Sequence, residues 1–248
     1  MRNMWQILVG VVLAAGAGIA LYNAVGDDGA TVVANAPSSP PPARIGSATP
    51  TDAASSEMAR VEPPVPDAQF GDIAVAADDF IIGQASAPVT IIEYASLTCP
   101  HCARFHNQVL PGLKKDLIDT GKVRLVYRDF PLDRIALAGS TLARCAGRDR
   151  YFAFLDVLYR DQSSWARAQD PVQALSRIAR LGGIGNEKFQ SCLSDEKLQE
   201  SILKQRLDGN QKFQVNSTPT LFINGNKYPG VLTLDQIKAI VASMTPKS

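Results

Sequence analysis

The run Val89-Thr90-Ile91-Ile92-Glu93-Tyr94 leads into Cys99-Pro100-His101-Cys102, after which Phe105, Val109, Leu113 and Leu117 recur at helical spacing. A β-type segment, a pair of cysteines two residues apart and an amphipathic helix therefore follow one another. That order places a dithiol where the amides of a first helical turn are unsatisfied and where a thiolate is stabilised. The apolar character of Val89–Tyr94 fits a strand covered on both faces. Pro111-Gly112 predicts a kink in the helix, and Gly121 closes it. Val123-Arg124-Leu125-Val126-Tyr127-Arg128 is the next strand, so strand, helix and strand imply a parallel crossover.

Beyond this unit the chain carries helical stripes from about Asp133 to Phe213. Ile135, Leu137, Leu142 and Cys145 lie on one, Tyr151, Leu155 and Leu158 on another, and Val172, Leu175 and Ile178 on a third that Gly182-Gly183 ends. This block reads as a helical insert, with Trp165 as core or hinge packing. Sheet then returns at Leu221-Phe222-Ile223, where Asn224-Gly225 followed by Lys227-Tyr228 signals a hairpin. A last helix follows, with Leu234, Ile237, Ile240 and Val241 on its buried side. Upstream, Asp72–Val75 and Phe80–Ile82 read as short strand or lead-in pieces.

The front of the 248-residue chain is different. Ile7 through Val25 is almost uninterrupted apolar sequence between Arg2 and Asp27-Asp28, which predicts a signal-anchor or signal peptide over residues 1–28. A retained membrane anchor is favoured, with cleavage to a soluble form as the alternative. Residues 29–71 are rich in Pro, Ala and Ser and predict a flexible linker, so the folded domain is expected over 72–246 with its insert at about 133–212. The net charge of +1 comes from 25 Lys and Arg spread among 24 Asp and Glu, with no basic tract for nucleic acid.

Four cysteines are too few for a stapled scaffold, and their even number suits two pairs in an oxidising compartment. A structural zinc site would need two more ligands. The two histidines, His101 and His106, are not spaced to supply them, so neither a metal nor another cofactor is expected.

Cys99-Pro100-His101-Cys102 after a strand, the long helical insert, and Thr218-Pro219-Thr220-Leu221-Phe222-Ile223-Asn224-Gly225 near the end together resemble the DsbA-like thiol–disulfide oxidoreductases of bacteria. The resemblance spans roughly residues 75–246. It implies a thioredoxin fold, an α/β architecture, with an inserted helical subdomain. Disulfides would be introduced into exported proteins, whose unfolded or partly folded thiols would be the partners. It also implies a place on the periplasmic side of the inner membrane and reoxidation by a quinone-linked membrane protein. Two other functions stay open: a reductase or isomerase kept reduced by a membrane electron donor, and a tethered binding module that is no enzyme. The absence of a separate dimerising domain favours a monomer.

Residue by residue, the resemblance makes Cys99 the exposed attacking cysteine and Cys102 the deeper partner that resolves a mixed disulfide. His101 would direct an N–H or a positive charge toward Cys99, and Pro100 would stiffen the loop. Pro219 matches a cis-proline loop facing the dithiol. Thr218 stands where many strong oxidases of the family carry Val, which leaves the direction of electron flow open. Glu93, six residues before Cys99, matches a buried acid that relays a proton to or from a neighbouring thiol. Cys145 and Cys192 are expected to form a structural disulfide. His106 reads as a solvated or packing residue on a different helix face from His101.

Overall fold

The computed structural model describes residues 63–71 and 73–244. Six strands form one sheet in the order β1-β6-β5-β3-β4-β2. They are β1 (Ala68–Gln69), β2 (Phe80–Ile82), β3 (Val89–Ala95), β4 (Val123–Asp129), β5 (Thr220–Ile223) and β6 (Asn226–Pro229). β3 and β4 run parallel with Glu93 opposite Tyr127, as a crossover through a helix requires. The other pairs are antiparallel. Asn224 and Gly225 have φ of 44° and 82°, the left-handed backbone of a tight β5–β6 turn, which is why Asn-Gly marked it.

The side-chain period of two along β3 sets the layers. Val89 and Ile91 join Phe105, Leu113, Leu117, Ile237 and Ile240 in a core on one face. Ile92 and Tyr94 join Val126, Phe130 and Phe222 on the other. Glu93, in phase with Ile91, is carried toward the first of these faces. That layer holds the segment after the dithiol and the last helix, here α9 (Leu234–Met244).

The segment after the dithiol is not one kinked α-helix. α1 (Pro100–Arg104) passes into a wide turn at Phe105–Val109, then α2 (Leu110–Leu113) and a second wide turn at Lys114–Ile118. The amide of Leu110 donates to the carbonyl of Phe105, an i to i+5 bond. Pro111, which has no N–H, lies immediately beyond, so the chain yields its extra residue by widening turns rather than by bending sharply.

The insert contains α3 (Arg134–Cys145), α4 (Arg148–Arg160), α5 (Gln162–Ala166), α6 (Pro171–Leu181), α7 (Asn186–Leu193) and α8 (Glu196–Phe213). Asp133, Asp170 and Asp195 cap α3, α6 and α8 by accepting amide hydrogen bonds. Its core of Leu142, Tyr151, Leu155, Leu158, Trp165, Leu175 and Phe189 runs on into Leu97, Cys99 and Cys102. Trp165 is packing, with its indole N–H given to the carbonyl of Leu158. A disulfide joins Cys145 at the end of α3 to Cys192 in α7, 47 residues apart in sequence. Gly209 lies where α8 crosses the sheet, since a Cβ there would stand 2.6 Å from the Tyr94 ring.

Two expectations need correction. Of the two pieces read as strand or lead-in, Phe80–Ile82 is a strand and Ile73–Val75 is lead-in, whereas Ala68–Gln69, inside the stretch expected as linker, pairs with β6 through Lys227 and Asn226. Pairing to an open sheet edge outweighs the Pro-rich composition nearby. The expectation of a membrane helix is not met where the structure can be read: among the described residues no helix is long and apolar enough to cross a membrane. The longest of them, α8, carries charges along its length, from Glu196 to Lys212. Residues 1–28 lie outside the described residues. The expectations built on that segment, inner-membrane anchoring and a transmembrane helix, are not supported by any described helix.

Candidate active site

Cys99 sits at the N-cap of α1 with extended backbone, and Pro100 occupies the first helical position, where its missing amide costs nothing. Cys99 and Cys102 are both free thiols. Cys99 is less open than expected: only 6 % of it is accessible, and Cys102 is wholly covered. The cover over Cys99 is partly the loop before β5, because its Sγ donates to the Thr218 carbonyl at 3.2 Å. The Thr218–Pro219 bond is cis.

The insert holds the dithiol loop from the other side. Gln162 of α5 donates to the carbonyls of Leu97 (2.8 Å) and Cys99 (3.0 Å). Asp133, while capping α3, accepts from the Thr98 hydroxyl at 2.7 Å. Neither residue carries a sequence pattern pointing to the dithiol, because the contacts join positions 63 to 65 and 35 residues apart.

The two thiols are driven apart in acidity. Hydrogen bonding from the Cys102 thiol, aided by Thr218 and by the amides of Cys102 and His101, outweighs burial and lowers the Cys99 pKa from 9.0 to about 5. Burial, then the Cys99 sulfur and the negative charge of Glu93, push Cys102 well above the ordinary thiol range. Cys99 is thus the more acidic of the two thiols and Cys102 the less acidic, a split of the kind that thiol–disulfide exchange uses.

His101 serves Cys99 through its backbone amide, while its exposed ring lies 2.8 Å from the Arg104 guanidinium. Glu93 is fully buried in β3. His106, expected on an unrelated face, places its Nε2 3.0 Å from Glu93 Oε2 and stacks on Tyr159 at 4.1 Å between ring centroids. The Tyr159 and Tyr127 hydroxyls meet at 2.7 Å beside it. The signal that points to His106 is Glu93 itself, since a carboxyl buried in a strand requires a polar partner from the helix packed on it. Among the described residues, no group of three His, Cys, Asp or Glu is placed to hold a metal ion.

The family profile described as Thioredoxin matches residues 76–243. The crystal structure of alpha-DsbA1 from Wolbachia pipientis is 31% identical with a TM-score of 0.65, the match covering 69% of this chain and 93% of that one. BdbD of Bacillus subtilis shares the fold at 22% identity and a TM-score of 0.63, over 74% of this chain and 98% of that one. A candidate protein-disulfide oxidoreductase of Rickettsia bellii is 34% identical over 149 residues, 60% of this chain. The chain spans only 58% of the length of that curated relative. With a dithiol of split acidity at the start of a helix, an insert between β4 and β5, and matches of this extent, the chain belongs to the thioredoxin superfamily and, within it, to the DsbA-like thiol–disulfide oxidoreductases.

Proposed function

We propose that this protein is a dithiol oxidase that passes the Cys99–Cys102 disulfide to thiols of other proteins. A substrate thiolate attacks Cys99 and Cys102 leaves. A second substrate thiolate then displaces Cys99, so the substrate carries the disulfide and the enzyme the two thiols. In this scheme Cys99 is the attacked sulfur, Cys102 the resolving one, and Glu93 its proton partner. Pro219 and Thr218 form the wall facing Cys99, while Pro100 and His101 set the loop.

The single observation that carries this direction is the set of hydrogen bonds around Cys99 at the start of α1, with the Cys102 thiol, Thr218 and the amides of Cys102 and His101, which lowers its pKa to about 5. At pH 7 such a thiol lies two pH units above its pKa, which favours the reduced enzyme by about 2.7 kcal/mol, or about 60 mV for a two-electron couple. A stabilised reduced form makes the disulfide an oxidant. Equilibration of residues 63–248 with glutathione should give a potential more oxidising than the roughly −270 mV of thioredoxin by about that amount. Such a potential, with loss of disulfide transfer to a reduced protein on Cys99→Ala, supports an oxidase. A potential at the thioredoxin end overturns it in favour of a reductase.

A further inference from the structure

Cys102 must lose and regain a proton in every cycle, yet it and Glu93 are sealed from solvent. Glu93 Oε1 and His106 Nδ1 are both buried without a hydrogen-bond partner, on either side of the Oε2–Nε2 contact. His106 also lines a surface cleft of about 430 Å³, together with Asn107, Lys114, Asp156 and Arg160. Glu93 is near enough to Cys102 for its charge to act on that thiol, and through His106 it leads to a cleft with charged walls.

We propose that His106, acting through Glu93, is the port by which the buried dithiol exchanges protons with the solvent of this cleft. The inference rests on the oxidase chemistry proposed above and assigns the part of it that the dithiol loop leaves open. When a substrate thiolate attacks Cys99, the Cys99–Cys102 bond breaks with its electron pair on Cys102. Cys102 takes a proton from Glu93 Oε1, the oxygen not engaged by His106, and His106 Nδ1 takes one from the cleft. Reoxidation by an external disulfide runs the other way. Cys99 thiolate attacks that disulfide and expels one thiolate. Cys102 gives its proton to Glu93, attacks Cys99 and expels the second, while Nδ1 releases its proton. The pair thus keeps one proton in both redox states, on Glu93 in the oxidised enzyme and on His106 in the reduced one.

The groups facing the imidazole suit this exchange. Glu93 from β3 holds Nε2, and the Tyr127 and Tyr159 rings enclose the ring from β4 and α4. Burial raises both phenols well above their ordinary range, so neither competes for the proton. Asp156, Lys114 and Arg160 stand at the cleft.

The reduced protein mixed with a nitroaryl disulfide should release coloured thiolate in two phases, Cys99 attack and then Cys102 resolution. His106→Gln, which keeps a donor toward Glu93 but takes up no proton, should slow the second phase by about ten-fold, less than the roughly 100-fold of an acid or base that meets the reacting group itself. It should also flatten that phase's pH profile, and added imidazole should restore the rate in His106→Ala. An unchanged second phase and pH profile in folded His106→Gln overturns the port. Absence of the first phase in the wild type overturns the oxidase reading instead. Should the variants not fold, ring-nitrogen NMR of the wild type decides, with His101→Gln assigning the two histidines. His106 should be imidazolium in the reduced protein and neutral in the oxidised one. One protonation state in both overturns the proposal.

Discussion

The two faces of β3 each bury ionisable groups, and they treat them differently. On one face Arg128 gives Nε and Nη2 to the carboxylate of Asp79 at 3.0 and 2.7 Å, Nη1 to the Tyr94 hydroxyl at 3.0 Å, and Nη2 also to the Ala74 carbonyl. On the other, Glu93 and His106 share one contact and each keeps a buried atom without a partner. The saturated cluster ties the segment before β2 to the sheet and has no place for another proton. In the proposed exchange the unsaturated one takes and gives a proton while keeping its hydrogen bond.

The largest effect should come from breaking the saturated cluster. Arg128→Ala leaves the Asp79 carboxylate buried and unpaired, and urea unfolding should show a loss of about 3–5 kcal/mol. The two thiolate-release phases should persist in whatever fraction stays folded. A loss below about 1 kcal/mol, the worth of an exposed pair, would erase the contrast between the faces.

Next in size is Cys99. Its pKa is lowered on folding, so the reduced protein gains stability that is complete above pH 9 and lost as pH falls through about 5. The stability gap between reduced wild type and Cys99→Ser should widen by roughly 2 kcal/mol from pH 5 to pH 7. A gap independent of pH would mean that the hydrogen bonds around Cys99 do not hold a thiolate.

Glu93→Gln reverses the Arg128 pattern. The amide keeps the shape and contact of the carboxyl but cannot relay a proton. The melting temperature should therefore shift little, while the Cys102 phase slows by about 100-fold. Unchanged exchange rates in both directions would make Glu93 structural and the two faces alike. Smallest is Gln162→Leu, which removes both hydrogen bonds to the dithiol loop. It should cost about 1 kcal/mol and raise the access of iodoacetamide to Cys99.

Much of this was legible from residues. The β3 and β4 strands, the dithiol and the Asn224-Gly225 hairpin each follow from a local rule of period or turn geometry, and Glu93 was legible as a buried acid from its place inside an apolar strand. His106 was not: the five-residue step does set it about 140° from the exposed His101, but nothing in that spacing says that its face meets Glu93. The closeness of Cys99 to solvent was overestimated because its cover comes from Thr218, 119 positions away. Ala68–Gln69 escaped notice for a related reason: two residues have no period, and only the free edge of β6 makes them a strand.

Gln162 has a consequence for the order in which the chain assembles. Its side chain clasps the Cys99 carbonyl from 63 residues downstream, and contacts of that span form only after the intervening loop has been closed. The dithiol loop is therefore fully held only once α5 has docked. A nascent chain that has made β3 and α1 but not the insert already has the amides at the start of α1 but lacks both hydrogen bonds from Gln162, so its dithiol loop is the looser until the insert is complete.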